Sequence, residues 1–114
     1  MGIVLRGGRV VDSDGESVVD VEIGDDGRIA AVGTGLVGEE DLDCAGCVVA
    51  PGLVDLHAHL RQPGDEEAET IETGARAGAL GGYTALVAMP NTEPTTDCVA
   101  VVEQVRALGG SVAC

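Results

Sequence analysis

The sequence predicts an α/β protein in which an antiparallel β portion precedes the start of a TIM-like (β/α)8 barrel. Three observations predict this class. Short apolar runs separated by glycine-containing turns fill residues 1–50. Two longer apolar runs, each followed by a stretch with helical periodicity, fill residues 51–114. The 114 residues do not supply the other strands of a barrel, so we expect the fold to be incomplete as given.

The first 50 residues are predicted to form an antiparallel meander. Asp14-Gly15 and Asp26-Gly27 separate apolar runs and indicate hairpins, because glycine takes positive φ without steric cost. Gly7-Gly8 is interpreted as a further turn. The apolar runs are Ile3–Leu5, Val10–Val11, Val18–Ile23 and Ile29–Val32.

One strand of this portion carries an alternating pattern. Val19, Val21 and Ile23 alternate with the acids Asp20 and Glu22. This is the period of a strand with one buried face, so it predicts that both acids lie on the solvent face.

The second portion begins with a nearly continuous apolar run over residues 47–58, interrupted by Asp55 and His57. Such a run predicts a strand buried on both faces, as in a parallel sheet. Thr70–Leu80 then has the pattern of a helix that ends at Gly81-Gly82. The predicted stripe of this helix is Ile71, Ala75 and Ala79, with Gly74 and Gly78 allowing close approach to the sheet.

The same pattern is then repeated. Tyr83–Met89 predicts a second strand, and Ser111–Cys114 is interpreted as the start of a third. Between them, Thr95 or Thr96 is expected to cap a helix that runs to Leu108. Its predicted inward residues are Val99, Val102 and Val105, and its predicted stop is Gly109-Gly110. The order β-α-β-α-β predicts parallel strands joined by crossover helices.

Composition limits both the core and the partners of the chain. Apolar residues make up 45%, but Phe and Trp are absent and Tyr83 is the only aromatic residue, so Val, Ala, Leu and Ile must build the core. That is thin support for an independent domain. The net charge of −14 opposes binding to nucleic acid and to anionic membranes.

Targeting signals and cysteines point to the cytoplasm. No signal peptide opens the chain, and no apolar run is long enough to span a bilayer. Cys44 and Cys47 form a CxxC motif, but no second pair accompanies it as in a zinc ribbon, and no strand-to-helix redox context surrounds it. We interpret the pair as structural, and free thiols without a secretion signal as cytoplasmic.

Two histidines end the first strand of the second portion. Side chains alternate across a strand, so Asp55, His57 and His59 share one face and the apolar residues share the other. In a barrel the polar face would lie inside, near the carboxyl-terminal mouth. Both imidazoles could then reach one metal ion at about 2.0–2.1 Å. The triplet alone also fits two surface or core histidines. Asp55 is expected to have a structural role, bonding to the backbone or to a histidine.

Three longer motifs carry a resemblance to a known family. The run PGLVDLHAHLRQPG at residues 51–64 is similar to the entry strand of the amidohydrolase superfamily. ETIETGARAGALGGYT and MPNTEP, the latter at residues 89–94, resemble dihydroorotases of the long, class I type. The similarity extends from about Gly46 to Pro94, and the meander before it fits that family's β-sandwich portion. A departure is Gln62, where the family commonly has Glu.

The resemblance implies an organisation and a reaction. Residues 1–50 would be the N-terminal part of a β-sandwich domain, and residues 51–114 the first βαβαβ segment of a metallohydrolase barrel. The implied activity is the zinc-dependent, reversible cyclisation of N-carbamoyl-L-aspartate to dihydroorotate in de novo pyrimidine (UMP) synthesis. Rival interpretations are another cyclic amidohydrolase of the allantoinase or hydantoinase type, and a non-catalytic scaffold for aspartate transcarbamoylase.

The resemblance also assigns residue roles. It implies that His57 and His59 bind one or two zinc ions, and that His59, Arg61 and Asn91 contact the substrate, the latter two through its carboxylate. Without it, Arg61 fits a surface salt bridge and Asn91 an Asx-type turn. A catalytic zinc needs at least three protein ligands, and the chain has only two histidines. The remaining ligands and the catalytic aspartate are expected beyond residue 114, so these residues alone should not catalyse. Partners are expected to be the small-molecule substrate and either a second copy or aspartate transcarbamoylase.

Overall fold

The computed structural model describes residues 2–112 and shows a mixed α/β chain. The chain divides into two compact units after Pro51. The first unit is rich in strands, and the second alternates strands with helices.

The first unit contains a five-stranded sheet. Its strands are β1 (Ile3–Asp12), β2 (Gly15–Ile23), β3 (Ile29–Gly33), β4 (Glu40–Asp43) and β5 (Val48–Val49). The order is β3-β2-β1-β4, and β5 also pairs with β1. The β1–β2 and β2–β3 pairs are antiparallel, which confirms hairpins at the two Asp-Gly sites.

Two predictions for this unit are wrong. Gly7-Gly8 is not a turn but an irregularity inside β1, where the register with β2 shifts and Gly7 has φ of 63°. A β-bulge lets a strand continue while it twists, and glycine accepts the positive φ at that position. The meander also ends after β3, because β4 and β5 pair with β1 in parallel.

The CxxC motif lies in the turn between β4 and β5. The N–H of Cys47 donates to the carbonyl oxygen of Cys44 at 2.9 Å, with Gly46 at φ of 78° between them. The Cys44 N–H bonds Arg6 in β1, and the Cys47 carbonyl accepts from Arg9, also at 2.9 Å each. The motif therefore carries the chain from one partner of β1 to the next.

The burial of Asp20 is a further departure from prediction in this unit. Asp20 is only 8% exposed, not solvent-facing as the alternation indicated. Its carboxylate accepts bonds from the N–H groups of Gly7 (2.9 Å) and Gly35 (3.0 Å) and from the Arg6 guanidinium (3.0 Å). These donors, the Gly7 N–H foremost, hold the pKa of Asp20 below its usual value, against the opposing effect of burial. Asp20 thus fixes the bulge of β1 to the loop after β3.

The second unit has two strands and two helices. They are β6 (Leu53–Ala58), α1 (Ile71–Leu80), β7 (Tyr83–Ala88) and α2 (Val99–Gly109). β6 and β7 pair in parallel, and α1 connects them and packs against β7 and α2. This confirms the predicted strand–helix–strand succession with parallel pairing.

Helix α1 begins with a capping box. The Thr73 N–H donates to Thr70 Oγ1 at 3.1 Å, and the Thr70 N–H donates to Thr73 Oγ1 at 2.9 Å. Gly74 is buried against Leu60, whose Cδ2 would lie 2.7 Å from a Cβ at that position. The small residue therefore allows close approach, but to the loop after β6 rather than to the sheet as predicted.

Helix α2 differs from its prediction in both start and buried face. Its N-cap is Cys98 rather than Thr95 or Thr96, and the Cys98 side chain makes no capping bond. Its buried residue is Val101, whereas Val99 is 78% exposed. The helix begins later in the sequence than predicted. In such a short helix, a spacing of three residues could not determine which face is buried.

Burial in the second unit is also lower than predicted. Leu56 of β6 is 73% exposed, so this strand is not covered on both faces within the described residues. Ser111 and Val112 lie in a turn and a bend, and the rest of the predicted third strand falls outside the described residues. The buried apolar side chains of residues 2–112 are valines, alanines, one isoleucine and one cysteine, without the expected leucines. Neither helix in this range has the length and apolarity needed to cross a membrane.

Candidate active site

The candidate site forms where β6 and β7 end. Ala58 is paired with Ala88, and the Met89 N–H donates to the Ala58 carbonyl oxygen at 2.8 Å. Because parallel strands end at the same edge, the residues after Ala58 and those after Ala88 come together. His59 and Asn91, 32 positions apart in sequence, are in hydrogen-bond contact there.

The two histidines turn their Nε2 atoms toward each other. His57 Nε2 and His59 Nε2 are 3.1 Å apart, and the ring centroids are 4.9 Å apart. Both side chains are exposed. Asp55 Oδ1 accepts the His57 backbone N–H at 3.0 Å, which agrees with the structural role expected for this aspartate.

This geometry fits half of a zinc site. Two Zn–N bonds of about 2.0–2.1 Å span up to about 4.2 Å, so nitrogen atoms 3.1 Å apart can share one ion. Exposed, convergent imidazoles are also the right donors for zinc. Within residues 2–112, however, no group of three or more His, Cys, Asp or Glu side chains could hold a metal. The described residues therefore offer two convergent imidazole nitrogens, fewer than the three protein ligands of a catalytic zinc.

Arg61 lies beside these histidines in an open cleft of about 550 Å³. The cleft is lined by residues of both strand-end loops, including His59, Arg61, Asp65, Asn91 and Glu93. The Arg61 Nη1 atom donates to Asp65 Oδ2 at 3.3 Å, and both side chains are more than half exposed. Exposed pairs spaced i,i+4 contribute only about 0.3–0.5 kcal/mol, so a second carboxylate can displace Asp65 from the guanidinium.

The two loops are joined directly. The Glu93 N–H donates to the Pro63 carbonyl oxygen at 3.0 Å. Gly64, at φ of 113°, lies so close that an added Cβ would be 2.6 Å from the Glu93 carbonyl oxygen. This contact brings the loop that carries Arg61 against the loop that carries Asn91. Sequence reasoning missed it, although the Pro63-Gly64 pair was a visible signal of a tight turn.

Gln62 has a role that sequence reasoning did not find. Its Oε1 atom accepts the backbone N–H of Ile71 at 2.9 Å. Ile71 is the first residue of α1, where N–H groups have no partner within the helix. An amide oxygen accepts such a bond as a carboxylate oxygen would, so the departure from Glu preserves the contact.

Comparison with known proteins identifies the family of this chain. A family profile described as Dihydro-orotase-like matches residues 46–112. The chain is 51% identical to a dihydroorotase from Solibacter usitatus, in an alignment 114 residues long that covers 93% of this chain and 26% of that protein. It is 44% identical to a dihydroorotase from Pelotomaculum thermopropionicum over 112 residues, covering 96% and 26%. The chain thus spans about a quarter of the length of these relatives.

Solved structures give a related result. An L-hydantoinase (dihydropyrimidinase) from Arthrobacter aurescens superposes with a TM-score of 0.84 at 27% identity, over 95% of this chain and 25% of that one. A D-hydantoinase from Bacillus sp. AR9 superposes with a TM-score of 0.77 at 32% identity, over 93% and 24%. The fold and the matches define a piece of an amidohydrolase. Within that class, the chain belongs to the dihydroorotase-like family.

Proposed function

We propose that this chain is the N-terminal part of a dihydroorotase that interconverts N-carbamoyl-L-aspartate and dihydroorotate in pyrimidine (UMP) synthesis. The observation that carries the proposal is the convergence of His57, His59, Arg61 and Asn91 at one strand edge, in a chain 51% identical to a dihydroorotase. Residues 1–50 would belong to a β-sandwich domain and residues 51–114 to the start of a (β/α)8 barrel.

His57 and His59 would hold the zinc ion, with further ligands from later strands. A zinc ion held there would supply Lewis-acid chemistry, the activation of a carbonyl group and of a water molecule for hydrolysis. The proton transfer is assigned to an aspartate beyond this chain. His57 and His59 therefore contribute ligation, not acid–base chemistry.

Arg61 and Asn91 would orient the substrate. Both line the cleft beside the histidines. A guanidinium grips a carboxylate through two parallel N–H···O bonds, which fixes the direction of the rest of the molecule. Arg61 also brings a positive charge into a chain with a net charge of −14. His59, at the edge of the same cleft, would contact the bound ring.

The first test concerns Arg61 in the full-length protein. We expect Arg61→Gln to raise KM for dihydroorotate about 10- to 1000-fold, since a charge-assisted bidentate contact contributes roughly 1.5–4 kcal/mol. Steady-state kinetics in both directions measure it. Arg76→Gln is the matched control, because Arg76 is an exposed arginine of α1 paired only with Glu72 at 3.9 Å. Equal effects of the two substitutions would contradict the assignment.

A hydantoinase is the second candidate, because the superposed structures are hydantoinases. Hydantoin carries no carboxylate, so an enzyme specific for it has no use for an arginine clamp. Assays of the full-length protein with dihydroorotate, hydantoin and allantoin decide between them. Turnover of hydantoin with no turnover of dihydroorotate would overturn the dihydroorotase proposal.

Two further aspects belong to the proposal. Cys44, Cys47 and Cys98 are unpaired, which supports a reducing, cytoplasmic location. Association with a second copy or with aspartate transcarbamoylase is proposed from the family resemblance, and size-exclusion chromatography with and without transcarbamoylase tests it.

A further inference from the structure

Asn91 touches a histidine rather than only lining the cleft. Its Oδ1 atom is 2.9 Å from His59 Nδ1. An amide oxygen accepts hydrogen bonds and cannot donate them, so the proton of this bond is on His59 Nδ1. A neutral imidazole with its proton on Nδ1 has its lone pair on Nε2. The Asn91 oxygen therefore selects which His59 nitrogen is available to a ligand.

The selected nitrogen is the one that faces His57. His59 Nε2 is 3.1 Å from His57 Nε2, so a His59 that carries its proton on Nδ1 accepts the His57 proton at Nε2. Asn91, His59 and His57 form an ordered chain of hydrogen bonds that ends at the proposed ligand pair. The bond to His59 uses only the oxygen of the Asn91 amide, and the amide nitrogen remains for a second contact.

The loop around Asn91 is bonded on both sides. Before it, the Met89 N–H bonds the Ala58 carbonyl oxygen at 2.8 Å. After it, Thr92 Oγ1 donates to the Pro94 carbonyl oxygen at 2.8 Å and lies 2.7 Å from Thr96 Oγ1. The Glu93 N–H bonds Pro63 at 3.0 Å. These bonds hold the backbone on both sides of Asn91, and the bond to His59 holds the side-chain oxygen.

We propose that Asn91 is a positioning residue for the metal ligand His59, in addition to its assigned contact with the substrate carboxylate. Its oxygen holds His59 in the tautomer that presents Nε2 to zinc, while its nitrogen donates to the carboxylate. Partners of this kind fix the ring orientation of a ligating histidine and raise its basicity. The inference rests on the metal site of the proposed function, but not on the identity of the substrate.

The test compares two substitutions in the full-length protein. Asn91→Ala removes both amide atoms, so we expect the zinc Kd to rise about 10- to 100-fold and KM to rise as well. Asn91→Asp keeps an acceptor for His59 but loses the donor and repels the substrate carboxylate. It should hold zinc at least as tightly as the native protein while KM rises. Competition against a coloured zinc chelator measures Kd without using activity.

Arg61→Gln is the matched control, because it removes a substrate contact without touching either histidine. It should leave the zinc Kd unchanged. The metal-free unfolding midpoint of each variant separates a local effect from a damaged fold. Unchanged zinc affinity in Asn91→Ala would overturn the proposal, and so would a tenfold weaker affinity in Asn91→Asp. The second comparison stands even where Asn91→Ala fails to fold.

The outcomes also separate this inference from the proposed function. A native protein that binds zinc, responds to Asn91→Ala as stated and yet does not turn over dihydroorotate leaves the inference in place and removes the dihydroorotase assignment. A protein that turns over dihydroorotate, but whose zinc affinity is unchanged by Asn91→Ala, keeps the dihydroorotase assignment and overturns the inference about Asn91.

Discussion

At the scale of single residues, the structure shows what one carboxylate does inside a strand. Asp20 is buried and accepts two backbone N–H bonds and one from Arg6. The period-two pattern could not reveal this, because it depends on a bulge at Gly7 that turns an N–H toward β2. A buried carboxylate with several donors is stable only when ionised.

The first prediction is a pH dependence of stability. The folded-state pKa of Asp20 is lowered from 3.8, so its contribution is fully present above that value and is lost as pH falls through the lower folded pKa. Denaturation of the native protein between pH 6 and about 2 should show this loss. Asp20→Asn should lower the melting temperature at pH 7 and flatten the acid limb. Glu16→Gln, at an exposed pair with Arg9, should do neither.

The second prediction concerns Gln62. Gln62→Ala removes the acceptor for the Ile71 N–H and should cost about 0.5–2 kcal/mol, as loss of a helix N-terminal acceptor does. Gln62→Glu keeps the bond and adds a negative charge at the N-terminus of α1, which should stabilise by about 0.3–1 kcal/mol. Urea denaturation of the full-length protein should therefore rank Glu above Gln above Ala. A reversed order would show that Gln62 acts through other contacts.

At the scale of elements, the site is made by strand ends and by the joint between two loops. The sequence predicted β6 and β7, because apolar runs mark them. It was wrong to treat residues 47–58 as one strand, since Val48–Val49 form β5 in the first sheet, and it did not predict β4. It also predicted that Arg61 and Asn91 belong to one edge. It could not predict the joint at Gly64 and Glu93, which depends on backbone contacts between residues far apart in sequence. The buried face of α2 was predicted wrongly for a related reason, because tertiary packing rather than sequence spacing decides which valine is buried.

The third prediction tests this joint. In Gly64→Ala the new Cβ would lie 2.6 Å from the Glu93 carbonyl oxygen, at a φ of 113° that side chains rarely adopt. We expect a loss of about 1–3 kcal/mol in stability, with KM raised because Arg61 and Asn91 separate. Gly109→Ala is the control: an added Cβ there meets nothing within 4 Å, so it should be neutral or stabilising. A Gly64→Ala protein with native KM would show that the joint does not position the clamp.

At the scale of the whole molecule, strand β6 leaves large apolar side chains exposed among the described residues. Leu53, Val54 and Leu56 of β6 are 57%, 51% and 73% exposed. Apolar strands left open at this level associate with other chains. Each of the six arginines also lies within 4 Å of a carboxylate, so the large excess of acids repels itself with few cations left to offset it.

The fourth prediction follows for residues 1–114 produced alone. We expect a sample that self-associates, melts without a sharp transition and has no dihydroorotase activity. Analytical ultracentrifugation and circular dichroism measure the first two properties. Leu56→Gln should reduce association, whereas Leu80→Gln, on the exposed side of α1, should change it less. A monodisperse chain with a cooperative melt would contradict this prediction.

The pairing of β1 has a consequence for synthesis. β1 pairs with β2 directly after one turn, but its other edge has no partner until β4 and then β5 have been made. While the ribosome makes the intervening residues, β1 is the open edge of a nascent sheet, and open edges are where growing chains stick to one another. Arg6 and Arg9 lie on that strand, and its bulge at Gly7 interrupts the regular edge to which another strand could pair. The arginines and the bulge of β1 therefore also oppose association of nascent chains during translation.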